Sequence, residues 1–564
     1  MSLLNNVLET IGVIDTPSRF IESPSETFSG TAITPIKFGL PKEIDSICPE
    51  CMEIIKATLY ADDGRVWITK TCLEHGDCKD IFYSNVDLYL KCEDFWFGDG
   101  RGIEDPPIRN ATICPSQCGL CNMHLSHSGL PIMDLTNRCN MTCPVCFANA
   151  NAAGYLYEPT YDEIVRMLEN LVNQKPVSAR RIQFSGGEPT IRPDFLKIVA
   201  KAKELGFYYI QINTNGIKTS ELEFIQALKE AGAQNLYLQF DGLSDEIYQK
   251  TRGRKSLLDY KLQTVENARK VKIDVILVPT MIKGYNNHQV GDIVRYAAKN
   301  HDVVSGIAFQ PVSFVGRFSQ SHRLERRYTL ADLAFDIEQQ TGFIDAMRDW
   351  FPIGCTTAFS KLAQALSGSP TLTFSMHPHC SQGTYFYIGQ DGIPVPVSAF
   401  IDLKNFFNDL IALSKKIKPS RFELLSKARV AYRLMKHFNK EKAPKGLTFD
   451  KFLKSLDGYQ DESVRRIYSD NGKTDDFDHF FVAGMHFMDA YNFSVERVMR
   501  CVIHYSDPNG HLYPFCAYNG APVYRKRIEK KHMVSADALR EKIIAEGRPK
   551  ELEIVAKKMG IEGS

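Results

Sequence analysis

The chain has 564 residues, 44% of them hydrophobic and 24% charged, which is enough for about three to four globular domains with buried cores. Its 68 Lys and Arg residues against 67 Asp and Glu residues leave a net charge of +1, which gives no argument for a nucleic-acid partner. The sequence contains neither a run of about 18 apolar residues nor a secretory signal, so we expect a cytoplasmic protein. In a reducing compartment its 15 cysteines indicate metal or cluster ligands rather than disulfides.

Residues 1–128 form a cysteine-rich first region that holds eight of the cysteines. Its short apolar runs at 65–69 and 81–90 predict strands separated by loops. We therefore expect a small metal-binding region rather than a large apolar core.

Residues 129–325 alternate between β-like and helix-like segments. The predicted strands lie at 132–136, 180–185, 208–214, 235–241, 274–280 and 305–312. The segments between them place apolar residues at helical spacing, and six consecutive βα units predict a parallel sheet. Periodicity alone is compatible with a partial (β/α)6 barrel, similar to a TIM barrel, and with an open doubly wound sheet.

Residues 326–564 are predicted to form a mainly helical C-terminal domain that carries four further cysteines. A basic stretch at 524–532 stands out within it. A solvated helix face is its simplest interpretation, and contact with anionic lipid head groups is the alternative.

The sequence TNRCNMTCPVCF, directly after the first predicted β-strand of the α/β region, carries Cys139, Cys143 and Cys146. Three thiolates from one loop can hold three irons of a [4Fe–4S] cube and leave the fourth iron open to a substrate. A zinc site would need a fourth protein ligand at similar spacing. The loop, with Phe147 after its last cysteine, resembles the signature loop of the radical S-adenosylmethionine (radical SAM) superfamily.

Further motifs follow the next three predicted strands. The glycines of SGGEPT permit a close backbone approach, and this motif resembles the GGE motif of the superfamily. The resemblance implies a partial barrel and a cofactor-binding segment that consists of Ser185, Gly186, Gly187, Glu188 and Pro189. Asn215 and Asp241 lie at the carboxyl ends of strands and are candidates for polar contacts to S-adenosylmethionine, although Asn-Gly and Asp-Gly pairs are also common in turns.

Two cysteine pairs near the N-terminus predict a mononuclear metal site. Cys48 and Cys51 lie in ICPEC, and Cys72 and Cys78 lie in TCLEHGDC, separated from the first pair by a β-like stretch. Four thiolates suit a tetrahedral iron or zinc ion, and we expect a structural or electron-transfer role for it.

The remaining cysteines divide into two candidate auxiliary clusters. The first is Cys114, Cys118 and Cys121, with Cys92 or His124 as the fourth ligand. The second is the set of four cysteines in the C-terminal third, for which ordinary buried thiols are the alternative; it consists of Cys355, Cys380, Cys501 and Cys516.

The run from Cys114 to Phe147, a cysteine triplet leading directly into the radical SAM loop, resembles the archaeal tetraether lipid synthases and their relatives. That resemblance implies three [4Fe–4S] clusters, one mononuclear iron, and formation of a C–C bond between unactivated carbons of lipid chains. It also implies peripheral membrane contact, here through Lys526, Arg527 and Lys530, and a reductase or ferredoxin as electron donor. Two alternatives remain: a radical methyltransferase or other radical enzyme acting on a soluble pterin-like or peptide substrate, and an electron carrier without catalysis.

Overall fold

The computed structural model describes residues 36–153, 155–316, 319, 321–417, 423–457, 477–520, 522–534, 541, 544 and 545. The N-terminal segment in which no secretory signal was found, residues 1–35, lies outside this description. Within the described ranges no helix is both long and apolar enough to cross a membrane.

The first region contains a four-stranded antiparallel sheet followed by a short helix. Its strands pair in sequence order and are β1 (Lys42–Ile47), β2 (Ile54–Asp62), β3 (Arg65–Cys72) and β4 (Gly76–Tyr83). Helix α1 (Val86–Glu93) begins where the Asn85 side chain accepts a hydrogen bond from the Leu88 amide at 2.8 Å. At one end of this sheet, the loop between β1 and β2 carries Cys48 and Cys51, while Cys72 ends β3 and Cys78 lies near the start of β4.

The α/β region alternates strands and helices as the sequence predicts. Its strands are β5 (Leu130–Asp134), β6 (Leu156–Tyr157), β7 (Arg181–Ser185), β8 (Tyr209–Thr214), β9 (Asn235–Gln239), β10 (Asp274–Val278), β11 (Thr280–Met281) and β12 (Val304–Pro311). Its helices are α2 (Tyr161–Val172), α3 (Phe195–Glu204), α4 (Leu222–Ala231), α5 (Asp245–Arg252), α6 (Leu258–Val271) and α7 (Val290–Lys299), with 3-10 turns at Pro189–Ile191 and Asn287–Gln289. Each of the six predicted strands overlaps an observed one.

Helix α2 shows why these segments become helices. Thr160 and Glu163 form a capping box at its start. Ile164, Met167 and Leu168 follow at helical spacing and are buried against the sheet.

The rest of the chain contains both helices and strands. The helices are α8 (Arg323–Arg326), α9 (Leu330–Thr341), α10 (Ala346–Asp349), α11 (Thr357–Ser367), α12 (Val397–Phe400), α13 (Leu403–Lys416), α14 (Glu423–Met435), α15 (Phe449–Asp457), α16 (Val495–Met499), α17 (Phe515–Gly520) and α18 (Pro522–Lys531), with a 3-10 turn at Ile353–Thr356. The strands are β13 (Phe351–Pro352), β14 (Ser381–Ile388), β15 (Pro394–Pro396), β16 (Asp478–Met485), β17 (Ile503–Ser506), β18 (Leu512–Pro514) and β19 (Met533–Val534).

One large sheet includes strands from both sides of residue 325. Its order is β13-β14-β16-β12-β10-β9-β8-β7-β5-β17-β18. The strands from β16 to β17 in this order are parallel, and β14 and β18 flank them as antiparallel strands. The predicted six-stranded sheet therefore needs correction, because β16 and β17 from the last third of the chain extend it at its two ends.

A buried ion network joins the N-terminal sheet to the large one. The Arg327 guanidinium donates to Asp80 of β4 at 2.5 Å and to Asp489, which follows β16, at 2.6 Å. All three side chains are fully buried. Arg323 donates to the same Asp80 carboxylate at 2.7 Å, so the two regions are packed as one body.

Candidate active site and metal centre

The large sheet surrounds one cavity of about 1370 Å³. Alternate residues of successive strands line it, such as Gln183 and Ser185 on β7 and Gln211 and Asn213 on β8. Cys139, Cys143 and Cys146 lie on its wall together with Phe147, beyond the carboxyl ends of the strands. A second part of the wall is apolar and aromatic, and it consists of residues such as Phe351, Phe359, Leu366, Phe406, Phe407 and Leu410.

Asn151 holds the cysteine loop in place. Its side-chain oxygen accepts from the Cys139 amide at 3.0 Å, and its side-chain nitrogen donates to the carbonyls of Cys139 at 2.7 Å and Met141 at 3.0 Å. Burial raises the pKa of the Cys139 thiol, and the nearby Glu188 carboxylate raises that pKa further. Thiolates are therefore favoured here only with a cation among them, which fits a bound iron–sulfur cluster. Sequence analysis missed Asn151, which has no distinctive motif.

The two glycines of the GGE segment approach the loop backbone that leads into Cys139. A Cβ atom on Gly186 would lie 2.2 Å from the Thr136 carbonyl oxygen, and one on Gly187 would lie 2.0 Å from that of Arg138. The amides of Gly187 and Glu188 donate to these carbonyls at 2.7 and 2.9 Å. The close approach is therefore to the chain's own backbone, and any contact to S-adenosylmethionine remains a prediction.

Glu188 connects this segment to the next strand. Its carboxylate accepts from the hydroxyls of Thr190 at 2.7 Å and Thr214 at 2.9 Å, and from the Asn215 amide at 2.8 Å. Burial raises its pKa, although these hydrogen bonds oppose that shift. Pro189 starts the 3-10 turn that Glu188 caps. Glu188 therefore holds the GGE segment against the end of β8, and its predicted contact to the cofactor remains a separate expectation.

Asn215 connects β8 to the cysteine loop. Its side-chain nitrogen donates to Asn140 at 2.6 Å, one residue after Cys139. Lys261, a fully buried residue on α6, donates to the Asn215 carbonyl and to the Gln239 side chain, the latter at 2.8 Å. Burial lowers the pKa of Lys261 to about 7, and the nearby Arg252 charge lowers it as well. Lys261 was not predicted, because a lysine in a polar helix gives no sequence signal of burial.

Asp241 is buried behind the cavity wall, where it holds Arg252. It accepts from the Arg252 guanidinium at 2.6 and 2.8 Å, and also from the Thr251 hydroxyl and the Thr280 amide. Burial opposes ionisation, but the Arg252 charge brings the pKa of Asp241 below its ordinary value. Arg252 lies on the wall and donates to the Val145 carbonyl at 3.1 Å. The structure thus offers Arg252, rather than Asp241, to a ligand in the cavity.

The N-terminal metal site contains Cys48, Cys51, Cys72 and His75, whose ligand atoms all lie within 4.8 Å of one another. Cys51 and Cys72 sulfurs are 3.9 Å apart, and His75 Nδ1 lies 3.7 and 3.5 Å from the sulfurs of Cys48 and Cys72. Tetrahedral zinc with Zn–S bonds of about 2.3 Å places neighbouring sulfurs about 3.8 Å apart, so these residues fit a zinc ion.

The predicted fourth ligand, Cys78, is replaced by His75 in the structure. Cys78 pairs with Lys70 on the sheet, whereas Cys72 pairs with Gly76. Cys78 is therefore one side-chain repeat, about 7 Å, further along the same face. The spacing C-x-x-H from Cys72 to His75 was the signal that could have identified the ligand.

The first candidate auxiliary cluster is assembled from one short loop. Cys114, Cys118 and Cys121 pack in one apolar cluster, and burial raises the pKa of Cys118 to about 12. His124, the alternative fourth ligand, places Nε2 2.8 Å from the Cys501 carbonyl and 3.0 Å from His504 instead. These three thiols could hold three irons of a [4Fe–4S] cluster, and the loop offers no fourth cysteine for the remaining iron.

In the second candidate set, Cys355 lies apart from the other three cysteines. Arg497 donates to the Cys380 sulfur at 3.3 Å, and its pKa is raised by the charges of Cys380, Cys516 and Cys501 against the effect of burial. Cys380 therefore contacts this guanidinium, and the charges of Cys516 and Cys501 also raise its pKa. Cys355 lies elsewhere, in the apolar cluster that contains Phe351.

Cys92 does not join the set that begins at Cys114. It is fully buried on α1, and its charge raises the pKa of Cys355 in addition to the larger effect of burial. The two thiols are therefore neighbours near β13, where Lys91 donates to the Trp350 carbonyl at 2.8 Å. Counting cysteines could not reveal this, because their grouping depends on contacts between distant segments.

The basic stretch 524–532 forms most of α18, and only part of it faces solvent. Arg525 is buried between Asp134 and Glu529, while Lys526, Arg527 and Lys530 are exposed. The buried half of this helix packs against β5 through Arg525 and Asp134, and the exposed half is the part that a charged surface could reach.

Comparison with known families agrees with this geometry. A family model of the radical SAM superfamily matches residues 133–297, and a model described as the HMPTM N-terminal zinc ribbon domain matches residues 40–84. The chain is thus a radical SAM protein with a zinc ribbon at its N-terminal side.

Two relatives and one solved structure illustrate the similarity. The 7,8-dihydro-6-hydroxymethylpterin dimethyltransferase of Methanocaldococcus jannaschii is 39% identical over 499 residues, which cover 88% of this chain and 96% of the relative. The GTP 3',8-cyclase of Limosilactobacillus fermentum is 30% identical over 39% of this chain and 63% of its own. Streptococcus suis SuiB, solved with its precursor peptide SuiA, has 18% identity, a TM-score of 0.31 and coverage of 38% of this chain and 46% of SuiB.

By the near full-length match to the M. jannaschii protein, this chain belongs to the family of the 7,8-dihydro-6-hydroxymethylpterin dimethyltransferase. The radical SAM prediction is confirmed. The relatives named above include no tetraether lipid synthase, so the predicted resemblance to that family is unsupported.

Proposed function

We propose that this protein is a radical SAM methyltransferase that places methyl groups on carbon atoms of a reduced pterin. The observation that carries the proposal is a cavity wall lined by side-chain amides of β7, β8, β9 and β12. The sequence match over nearly the whole length of the M. jannaschii dimethyltransferase supports it. Gln211 Oε1 and Gln239 Nε2 are buried on this wall with no hydrogen-bond partner among the described residues. A pterin edge alternates donors and acceptors, and such unsatisfied amide atoms favour a ligand of that kind.

Cys139, Cys143 and Cys146 would hold the [4Fe–4S] cluster, and Arg252 and Asn213, which line the same cavity, would contact S-adenosylmethionine. When bound, the cluster and S-adenosylmethionine together supply a 5′-deoxyadenosyl radical able to abstract hydrogen from unactivated carbon. Asn151, Asn215 and Lys261 fix the cysteine loop relative to the carboxyl ends of β8 and β9 through their hydrogen bonds. The aromatic part of the cavity excludes water from the reacting carbon.

An anaerobic assay tests this proposal. The cluster-loaded protein is incubated with reductant, 6-hydroxymethyl-7,8-dihydropterin and S-adenosylmethionine carrying a CD3 group, and the products are analysed by mass spectrometry. We expect a pterin in which CD3 replaces hydrogen on carbon, together with S-adenosylhomocysteine and 5′-deoxyadenosine. A Cys143→Ala variant should lose turnover while its zinc content is unchanged. An unmodified pterin alongside 5′-deoxyadenosine formation would overturn the pterin assignment.

A second candidate, coupling of two hydrocarbon chains through a C–C bond, is favoured by the apolar part of the cavity. Phe359, Leu366, Phe406, Phe407 and Leu410 form an apolar part of the wall of this cavity. Such a wall suits an alkyl chain, which gains about 0.8 kcal/mol per buried CH₂ group.

Chain-deuterated diether lipid distinguishes the two candidates in the same assay. Deuterium in 5′-deoxyadenosine and a coupled lipid would support hydrocarbon coupling, whereas protiated 5′-deoxyadenosine and unchanged lipid would exclude it for that lipid. A Leu366→Trp variant, which fills the apolar part, should then lose lipid turnover and keep S-adenosylmethionine binding.

Two partners are also proposed. A ferredoxin or a reductase would supply the electrons that the cluster needs. Membrane contact through Lys526, Arg527 and Lys530 is proposed on their exposure alone; replacing all three by Glu should abolish binding to anionic liposomes, and unchanged binding would show a merely solvated helix face.

A further inference from the structure

Two glutamines lie side by side on the cavity wall, on neighbouring strands. Gln183 of β7 pairs with Gln211 of β8 in the parallel register, and both side chains line the cavity. The two residues are 5% and 2% exposed, respectively. Ser185 and Asn213 line the same wall one side-chain repeat, about 7 Å, nearer the carboxyl ends of these strands. The glutamine pair therefore lies farther from the cysteine loop than Ser185 and Asn213 do.

The side-chain amide of Gln211 is fixed in one orientation. Its Nε2 donates to the Tyr209 hydroxyl at 3.0 Å and to Asn235 Oδ1 at 2.9 Å, which uses both of its N–H groups. Its Oε1 is buried and has no hydrogen-bond partner among the described residues. A buried acceptor in this state is stabilised by a ligand that donates a hydrogen bond to it.

The side-chain amide of Gln183 is not fixed in this way, since it has no hydrogen-bond partner within the described part of the chain. Rotation by half a turn about its last side-chain bond exchanges the positions of its donor and its acceptor. Gln183 can therefore match either order of donor and acceptor on a ligand, whereas Gln211 offers an acceptor only.

We propose that Gln211 and Gln183 together select the 2-amino-4-oxo edge of the pterin, with Gln211 Oε1 accepting a hydrogen bond from the 2-amino group. This inference rests on the proposed function and names the residues that recognise its substrate. The ring N–H and the 4-oxo group beside the 2-amino group place a donor next to an acceptor, which the Gln183 amide matches with two hydrogen bonds.

The size of the pterin fits this orientation. A fused two-ring molecule held at its pyrimidinone edge extends by about one side-chain repeat, so its second ring lies beside Ser185 and Asn213. In 6-hydroxymethyl-7,8-dihydropterin every carbon-bound hydrogen is on that second ring or on its hydroxymethyl substituent. The carbons that can be methylated therefore lie on the side of the molecule nearer the cysteine loop.

Anaerobic equilibrium dialysis against the full-length, cluster-loaded protein tests the pair, with S-adenosylhomocysteine present so that no turnover occurs. The ligands are the 7,8-dihydro forms of 6-hydroxymethylpterin, 6-hydroxymethyllumazine and 2,4-diamino-6-hydroxymethylpteridine, which differ only in the first ring. In the lumazine an oxygen replaces the 2-amino group and would meet Gln211 Oε1 as a second acceptor, so we expect binding at least about tenfold weaker than that of the pterin. The diamino compound keeps the 2-amino group and reverses the donor and acceptor beside it, so we expect binding within about threefold of the pterin.

Variants of Gln211 separate its acceptor from its packing. Gln211→Leu should bind the pterin about tenfold more weakly than the wild type and should no longer prefer it to the lumazine. Gln211→Glu keeps an acceptor at the same place and should retain that preference. Gln263→Leu is the matched control, because Gln263 is an exposed glutamine of α6 that does not line the cavity, and it should bind all three ligands as the wild type does.

Equal affinity of the wild type for the pterin and the lumazine would overturn the inference even if the pterin is methylated in the anaerobic assay. A preference for the pterin that persists in Gln211→Leu would overturn it as well, because other residues would then make the selection. Binding of none of the three ligands, together with an unmodified pterin in that assay, would refute the proposed function and the inference with it. If the Gln211 variants do not fold, the three wild-type affinities decide the matter.

Discussion

Lys261 is a cation enclosed by the residues that fix two strand ends. It is fully buried, and it donates to the Asn215 carbonyl and the Gln239 side chain while Arg252 carries a second positive charge nearby. Asn215 in turn contacts Asn140 in the cysteine loop. The position of that loop therefore depends in part on a lysine that lies behind the cavity wall and does not line it.

The first prediction concerns the pH dependence that Lys261 confers. Its pKa of about 7 in the folded protein lies below the value of about 10.4 in an unfolded chain, so the unfolded state binds more protons between these values. Stability should therefore rise with pH from about 7 to about 10 in the wild type relative to a Lys261→Met variant. Denaturant titrations of both proteins at pH 7 and pH 9 measure this difference, and a difference that does not change with pH would contradict it.

The second prediction separates the two candidate fourth ligands of the zinc ribbon. A His75→Ala variant should lose most of its zinc, because His75 Nδ1 lies 3.5 Å from the Cys72 sulfur. A Cys78→Ser variant should keep the one zinc per chain that we expect of the wild type. Metal analysis of the purified proteins checks both outcomes, and zinc loss in Cys78→Ser would restore the four-cysteine assignment.

At the scale of elements, the GGE segment and the cysteine loop form one unit. The third prediction is that Gly187→Ala displaces the loop, because the added methyl carbon would meet the Arg138 carbonyl oxygen at 2.0 Å. We expect a loss of stability of about 1–3 kcal/mol and lower iron content at the radical SAM site. Gly392→Ala is the control, since a Cβ there meets nothing within 4 Å, although its φ of +71° adds some strain.

The ion network between β4 and the residues after β16 gives the fourth prediction. Arg327→Met leaves two buried carboxylates without their shared guanidinium, which should cost about 3–5 kcal/mol in the free energy of unfolding. Lys56→Met removes an exposed pair with Asp45 and should cost less than about 1 kcal/mol. Denaturant unfolding measures both, and equal losses would show that the network does not join the two sheets.

Sequence analysis identified the elements whose signals are local. The predicted strand at 180–185 corresponds to Arg181–Ser185, because a short apolar run between two helices leaves little choice. Strand β17, Ile503–Ser506, was missed because its four residues become a strand only beside β5. Likewise Cys139, Cys143 and Cys146 follow from their spacing, whereas Lys261 and the separation of Cys355 from Cys501 depend on packing between distant segments.

At the scale of the whole molecule, the large sheet is completed by the last third of the chain. The fifth prediction is that a chain ending at residue 325 will aggregate, because β12 and β5 become exposed edges. A chain ending at residue 534 keeps every described strand and should remain monodisperse. Size-exclusion chromatography of the two products checks this, and a well-behaved shorter chain would establish a domain boundary at 325.

The late position of β17 also has a consequence during synthesis. About 370 residues separate β5 from the strand that covers its edge. At about 5–20 residues per second, a ribosome needs roughly 20–70 seconds to make that stretch. During this interval one edge of β5, the strand that leads into the cysteine loop, stays unpaired and is open to pairing with another chain until β17 is made.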